Sequence, residues 1–107
     1  MRIETTSHFE KEARRLAKKY PSIYKDILSL IGQLEKTPEM GTPLGHHLYK
    51  IRMAIKSKNQ GKSGGARVIT CVQIVDDIIY LTTIYDKSER EDITDKELKT
   101  ILKELGL

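Results

Sequence analysis

The chain has 107 residues, a formal net charge of +4, one cysteine and no tryptophan. This length fits a single domain over residues 1–107. A lone cysteine excludes an internal disulfide framework and cysteine-based metal clusters, and it fits a reducing cytoplasm. The sequence has no apolar run near the roughly 18 residues that a membrane-spanning helix needs, and its first residues are not typical of a signal peptide. We therefore expect a cytoplasmic protein with no membrane partner.

The positive charge is concentrated in one segment of the chain. Residues 40–75 carry six basic groups and no acidic group, whereas the remaining residues have a net charge of −2. The six are Lys50, Arg52, Lys56, Lys58, Lys62 and Arg67. A segregated cationic segment is typical of proteins that bind a phosphate backbone, although a solvated basic loop would have the same composition.

The first third of the chain predicts a short strand and two helices. Residues 2–6 are a candidate strand, and Ser7 and Glu10 then have the spacing of a capping box. Apolar residues recur with a helical period up to Tyr20, and again over residues 23–34 after Pro21. Because the link between the two helices is so short, we expect an antiparallel helical hairpin.

The period of the apolar residues then changes from helical to two. Residues 37–45 are rich in proline and glycine and predict a loop, whereas residues 48–56 alternate apolar and basic side chains. A polar loop over residues 57–65 separates this strand from two β-branched runs, residues 66–75 and 78–85.

The end of the chain predicts a third helix and completes the fold class. Thr94 and Glu97 form a second capping box before an apolar helical stripe. The predicted order is β-α-α-β-β-β-α. It indicates an α+β domain with a small antiparallel β-sheet, packed by an N-terminal helical hairpin and followed by a C-terminal helix.

The turn between the last two strands sets which side chains share a face. If Asp76-Asp77 is a two-residue turn, Val68 faces Tyr85 on an apolar face that the helices cover. Lys50, Arg52 and Arg67 then share the opposite, open face of the sheet. That opposite face also includes Ile84 and Asp86. A one-residue bulge would reverse part of this assignment.

Three stretches in order resemble a known family. They are LYKIRMA at 48–54, GKSGGARVI at 61–69 and YLTTIYDKSE at 80–89. Together they resemble the RelE/ParE toxin superfamily, and within it the HigB-type toxins of type II toxin–antitoxin systems. The resemblance implies a small antiparallel sheet with a helical hairpin on one side, in agreement with the residue patterns.

The function that the resemblance implies is a ribosome-dependent endoribonuclease. Such a toxin cuts messenger RNA on the ribosome, inhibits translation and growth, and is silenced by an antitoxin, for which we expect a small helix-turn-helix protein. Cleavage uses the ribose 2′-OH as the nucleophile, so neither a metal nor a cofactor is expected. The alternative is a ParE-like toxin that inhibits DNA gyrase and cuts nothing.

The resemblance also implies roles for individual residues. Arg67 would stabilise the phosphate, Arg52 and Lys87 would supply further charge, and Tyr85 would transfer a proton or stack on a base. The lysines expected to hold messenger or ribosomal RNA are Lys50, Lys56, Lys58 and Lys62. The strand register leaves three alternatives open, namely an Arg67–Asp86 pair, a Tyr85 ring packed on Val68, and a pair of Lys87 with Asp86 or Glu91.

Overall fold

The computed structural model describes residues 1–59 and 61–107, so that Gln60, in the predicted loop 57–65, lies outside the described residues. The strands are β1 Arg2–Thr5, β2 Thr42–Gly45, β3 Leu48–Met53, β4 Ala66–Gln73 and β5 Ile78–Asp86. The helices are α1 Ser7–Lys19, α2 Ile23–Lys36 and α3 Asp95–Glu104, and two short 3₁₀ turns, Lys56–Lys58 and Lys62–Gly64, join β3 to β4. The predicted α+β class is confirmed. None of these helices combines the length and the hydropathy that a bilayer crossing requires, as far as the described chain goes.

The five strands form one sheet in the order β1-β5-β4-β3-β2. β1 pairs parallel with β5, whereas the other neighbours are antiparallel. The prediction of an antiparallel sheet is therefore wrong at β1. The helical hairpin carries the chain from β1 to β2 at the opposite edge, and after three antiparallel pairings β5 arrives beside β1 in the same direction. The predicted loop 37–45 is also wrong in part, since β2 adds an edge strand to β3. Pro43 is compatible with an edge, where one side of the strand needs no N–H donor.

The predicted helix starts are correct at α3 and displaced by one residue at α1. Thr6, not Ser7, caps α1, because its hydroxyl accepts a hydrogen bond from the backbone N–H of Phe9 at 3.1 Å. Glu10 accepts from the Thr5 hydroxyl at 3.0 Å and so does not complete the predicted box. At α3 the reciprocal box of Thr94 and Glu97 is present.

The two faces of the sheet carry separate apolar cores. The helical hairpin covers one face, as predicted, and the main core lies between them. Its fully buried members include Phe9, Leu16, Ile23, Leu34, Ile51, Val68, Ile79, Leu81 and Ile84. On the other face Leu48, Ile69 and Cys71 pack with Ile101 of α3 in a smaller core. The rest of that second face is the open one.

The β4–β5 hairpin differs from the predicted two-residue turn. Its loop comprises residues 74–77, closed by a hydrogen bond from the Asp77 N–H to the Ile74 carbonyl at 3.1 Å, and Gln73 pairs with Ile78. Asp77 takes a left-handed φ of 56°, which an aspartate tolerates better than most residues.

A bulge further along the same hairpin reverses the faces of the last residues of β5. The register shifts between Ile69 and Thr70, so Tyr85 pairs with Arg67 and not with Val68. Ile84 and Asp86 consequently face the main core, whereas Tyr85 lies on the opposite face. The predicted placements of Tyr85, Ile84 and Asp86 are therefore wrong, for one local reason.

Candidate nucleic-acid interface

An open cleft of about 560 Å³ lies on the face of the sheet that α3 leaves uncovered. Its lining consists of Thr42, Lys50, Arg52, Arg67, Lys87, Glu91 and Asp92. In β3, Lys50 and Arg52 alternate with the buried Ile51 and Met53, and Arg52 pairs with Arg67 in the neighbouring strand. Strand parity thus brings three predicted cations together, and the loop after β5 adds Lys87.

Arg67 lies deep in the cleft and holds its wall. Only 6% of the residue is exposed, and its guanidinium donates to the carbonyl oxygens of Lys62, Ser63 and Ala66 at 3.0, 3.0 and 3.2 Å. The alternative in which Arg67 pairs with Asp86 is therefore wrong. Three backbone acceptors fix the plane of the guanidinium without neutralising its charge.

The other three cations differ in how they are held. Lys50 Nζ is 3.0 Å from Asp92 Oδ1, and Lys87 Nζ donates to the Glu91 carbonyl oxygen at 2.9 Å. Lys87 therefore pairs with neither of the two carboxylates proposed for it, those of Asp86 and Glu91. Arg52 is exposed, and its side chain has no hydrogen bond or ion pair with any described residue. Its charge is thus available to a ligand in the cleft.

Tyr85 pairs with Arg67 across the strands but does not line the cleft, because it lies in a neighbouring pocket with its ring covered by Arg90. Only 3% of the residue is exposed, the Arg90 guanidinium lies 4.9 Å from the ring centroid, and the hydroxyl donates to Asp92 Oδ1 at 3.4 Å. Burial, and next the negative charge of Asp92, raise the pKa of the phenol to about 12, although Arg90 and Arg67 oppose the shift. The hydroxyl is therefore protonated at neutral pH.

Asp92 is a site residue that the sequence reasoning missed. Its carboxylate meets Lys50, Tyr85 and the backbone N–H of Ile93 at 2.8 Å. The hydrogen bond from Lys50 is the largest of several causes that lower its pKa. A hint was present in the sequence, because residues 76–107 are acidic and follow the strands that carry the basic face.

The loop that supplies Lys87 and Asp92 is attached to two helices. Arg90 forms a two-pronged pair with Glu97 of α3 at 2.6 and 2.9 Å, and Glu89 pairs with Arg15 of α1 at 3.1 Å. The Arg90 hydrogen bond is the main reason that the pKa of Glu97 falls to about 2. These pairs hold Arg90 over Tyr85 and the loop beside the cleft.

The remaining predicted lysines separate into two groups. Lys56 and Lys62 are exposed and line a second groove, which adjoins the cleft at Arg52. Lys58 turns inward instead, since its amine is 2.8 Å from Asp86 Oδ1 and 2.9 Å from the Gly64 carbonyl oxygen. The structure thus removes Lys58 from the cationic surface, because its charge is used to pair a buried carboxylate.

The cleft thus brings four cationic and two acidic side chains together on one face of a small α+β domain. The family model described as the RelE toxin of the RelE/RelB toxin–antitoxin system matches residues 1–106. The chain therefore belongs to the RelE toxin family, so it is the toxin of a toxin–antitoxin pair and its partner is an antitoxin. No curated protein matches the chain at a significant level.

Proposed function

We propose that this toxin is an endoribonuclease of the HigB type that cuts messenger RNA on the ribosome and so inhibits translation. The observation that carries the proposal is the cleft in which Arg52, Arg67, Lys50 and Lys87 surround one open volume. Two carboxylates line the same volume, which leaves a local excess of positive charge. An RNA phosphate would meet charge-assisted donors on several sides, and those donors would become stronger as negative charge develops in the transition state.

The proposed reaction is an in-line transesterification. The 2′-oxygen forms a bond to phosphorus as the bond from phosphorus to the 5′-oxygen breaks, which leaves a 2′,3′-cyclic phosphate and a 5′-hydroxyl. One proton leaves the 2′-hydroxyl and one is delivered to the 5′-oxygen, so protons and charge balance. Arg67 and Arg52 stabilise the additional negative charge on the phosphorane oxygens.

For the two proton transfers we propose Asp92, which lines the cleft, and Tyr85, which adjoins the cleft through its hydrogen bond to Asp92. The phenol is protonated at neutral pH and gives its proton to the 5′-oxygen, while the ionised Asp92 accepts the 2′-proton. The hydrogen bond between the two groups then returns the proton to the phenol. Stacking of a base on Tyr85 is less favoured, because the ring is buried under Arg90.

The decisive test compares Arg52→Ala with a matched loss of charge elsewhere. Arg52 has no partner among the described residues, so its removal should leave the fold unchanged and lower cleavage by about a hundredfold, the usual effect of losing one transition-state donor. Transcript 5′ ends are mapped after brief expression, and growth is followed in parallel. Arg67→Ala is expected to abolish growth inhibition too, with thermal melting measured because its guanidinium supports the loop.

The control is Arg14→Ala, which removes an equally exposed arginine from the outer face of α1. This variant should cut transcripts like the wild type. Wild-type cuts inside translated codons support the nuclease. Intact transcripts accompanied by DNA damage would instead point to gyrase and contradict the proposal, as would an Arg52→Ala variant that is folded and equally active.

A further inference from the structure

A second groove of about 140 Å³ continues from the cleft, between α2 and the end of β3. The two share Arg52, so a strand bound in the cleft meets the groove without leaving cationic surface. Lys56 and Lys62 line the groove beside Arg52, and both are exposed. The amines of these two lysines have no partner in the described chain.

Other residues that line the groove are apolar, or polar and uncharged. Leu30 and Met53 form an apolar floor, at 3% and 5% exposure. Gln33 and Ser29 of α2 stand at the wall, and their side chains make no hydrogen bond to described residues. An amide offers both donors and an acceptor, which matches the edge of a nucleobase. The groove thus offers cations, an apolar surface and an unused amide in one place.

One acidic residue also lines the groove, and it is already engaged. Asp26 is buried, and its Oδ2 accepts from the Lys56 backbone N–H at 3.2 Å and from the Ser22 hydroxyl at 2.7 Å. Both bonds fasten the Lys56–Lys58 turn to the start of α2. Both donors are neutral, so attraction for an anionic ligand comes from Arg52, Lys56 and Lys62, which outnumber this one carboxylate in the groove.

We propose that this groove binds a further nucleotide of the RNA strand that occupies the cleft, with its phosphate on Lys56 and Lys62 and its base against Gln33. This inference rests on the proposed function and names a second contact of the same substrate. It gives α2, which does not line the cleft, a part in selecting where the RNA is held.

The test measures how affinity depends on RNA length. Single-stranded RNAs of two and of six nucleotides, with 2′-O-methyl groups that prevent cleavage, are titrated into the full chain by fluorescence anisotropy. The longer RNA should bind the wild type at least tenfold more tightly than the shorter one. In Lys56→Gln/Lys62→Gln the gain should vanish, and the log–log salt dependence of the longer RNA should decrease by about 0.7 for the one phosphate that is no longer neutralised.

Two variants provide the matched comparisons. Arg14→Gln/Lys18→Gln removes two exposed charges from the outer face of α1 and should keep the gain from length. Gln33→Ala should keep the salt dependence and shift the distribution of cleaved sequences in mapped transcripts. If the lysine variant gains as much from length as the wild type, the groove proposal is wrong. The proposal is also wrong if the lysine variant binds both RNAs like the wild type and only its co-sedimentation with ribosomes decreases, because the groove would then contact ribosomal RNA.

The binding measurements are independent of the test of the nuclease. If the wild type binds the longer RNA more tightly but leaves transcripts intact in cells, the proposed reaction is wrong and the groove proposal stands. If the wild type cuts transcripts but RNA length does not affect its binding, the proposed reaction stands and the groove proposal is wrong.

Discussion

Tyr85 and Asp92 have pKa values that their surroundings move in opposite directions. Burial raises the pKa of the phenol to about 12, and the hydrogen bond from Lys50 is the main cause that lowers the pKa of the carboxyl. In such a pair one group stays protonated, as a proton donor, and the other stays ionised, as a proton acceptor, over a broad range of pH. Between about pH 5 and pH 9, neither group changes its protonation state. A flat pH–rate profile over this range is therefore expected from the two groups.

Replacement of Tyr85 by Phe tests the proton donor. The change removes one hydroxyl and its long 3.4 Å bond to Asp92, so we expect RNA binding and thermal stability close to wild type. Cleavage should fall about 10²- to 10⁴-fold, the usual contribution of general acid catalysis. Single-turnover cleavage measures the loss, and anisotropy with the uncleavable RNA measures binding.

The same variant tests the position of the pKa. With the phenol titrating at about 12, the absorbance difference between wild type and Tyr85→Phe should contain little phenolate up to about pH 11. A difference spectrum with its midpoint near pH 10 would show an ordinary tyrosine. Cleavage unchanged in the folded variant would remove Tyr85 from the reaction.

At the scale of elements, the sequence was informative wherever a period was long and regular. The apolar stripes of α1 and α2 and the alternation in β3 are direct consequences of which face is buried, so they could be predicted. β2 has four residues, two of them proline and glycine, and is held by pairing with β3 and by the packing of Leu44 on the smaller core. Its composition is that of a loop, so no local pattern could have identified it.

The bulge in the β4–β5 hairpin explains why the site was only partly predictable. Lys50, Arg52 and Arg67 belong to β3 and β4, which pair without a register shift, so simple alternation holds for them. Tyr85 belongs to β5, beyond the shift in the pairing of β4 with β5, and there alternation predicts the wrong face. A single additional residue in β5 leaves no mark in composition, because Thr82 is β-branched like Thr83 and Ile84, which follow it. Its effect on the fold is decided by pairing across strands.

The attachment of α3 can be tested through the smaller core. Ile101 is the buried residue of α3, and α3 does not contribute to the main core under the hairpin. In Ile101→Ala we expect a loss of about 2 kcal/mol, as for a truncated core side chain, and the loss should concentrate in α3. Amide hydrogen exchange should then show α3 opening well before the sheet.

The control for this prediction is Leu28→Ala, which truncates a side chain of α2 that is 66% exposed. It should change neither stability nor exchange by a measurable amount. If the amides of α3 exchange together with those of β4 in Ile101→Ala, the helix is part of the main cooperative unit and the prediction is wrong.

At the scale of the whole molecule, one buried ion pair connects parts that are far apart in the sequence. Asp86 is fully buried and accepts from Lys58 Nζ at 2.8 Å and from the Tyr20 hydroxyl at 2.6 Å. It thereby joins the end of α1, the turn after β3 and the end of β5. Composition predicted where the positive charge is concentrated, but it could not show which lysine turns inward, because that depends on the position of Asp86.

This ion pair makes the stability of the fold depend on acid. Burial by itself would raise the pKa of Asp86, but the hydrogen bonds from Lys58, Tyr20 and Ser88 together hold it well below its ordinary value. A carboxyl with a depressed pKa in the folded state contributes its full stability above the unfolded value of about 3.9. That contribution is lost as the pH falls further. The wild type should therefore lose stability steadily below about pH 4.

Asp86→Asn tests both the size and the pH dependence of this contribution. At pH 7 the variant leaves the Lys58 charge buried without its partner, so we expect a loss of about 3–5 kcal/mol in urea unfolding. Below about pH 4 the difference from wild type should shrink, because the wild-type carboxyl is then protonated in the unfolded state while it is still ionised in the folded state, which favours unfolding. Addition of Lys58→Met should recover part of the loss, since the two residues are coupled.

Asp76→Asn in the exposed hairpin loop is the matched control, and its free energy of unfolding should stay within about 0.5 kcal/mol of wild type at every pH. A difference between Asp86→Asn and wild type that is constant from pH 7 to pH 3 would mean that the carboxylate charge does not support the fold.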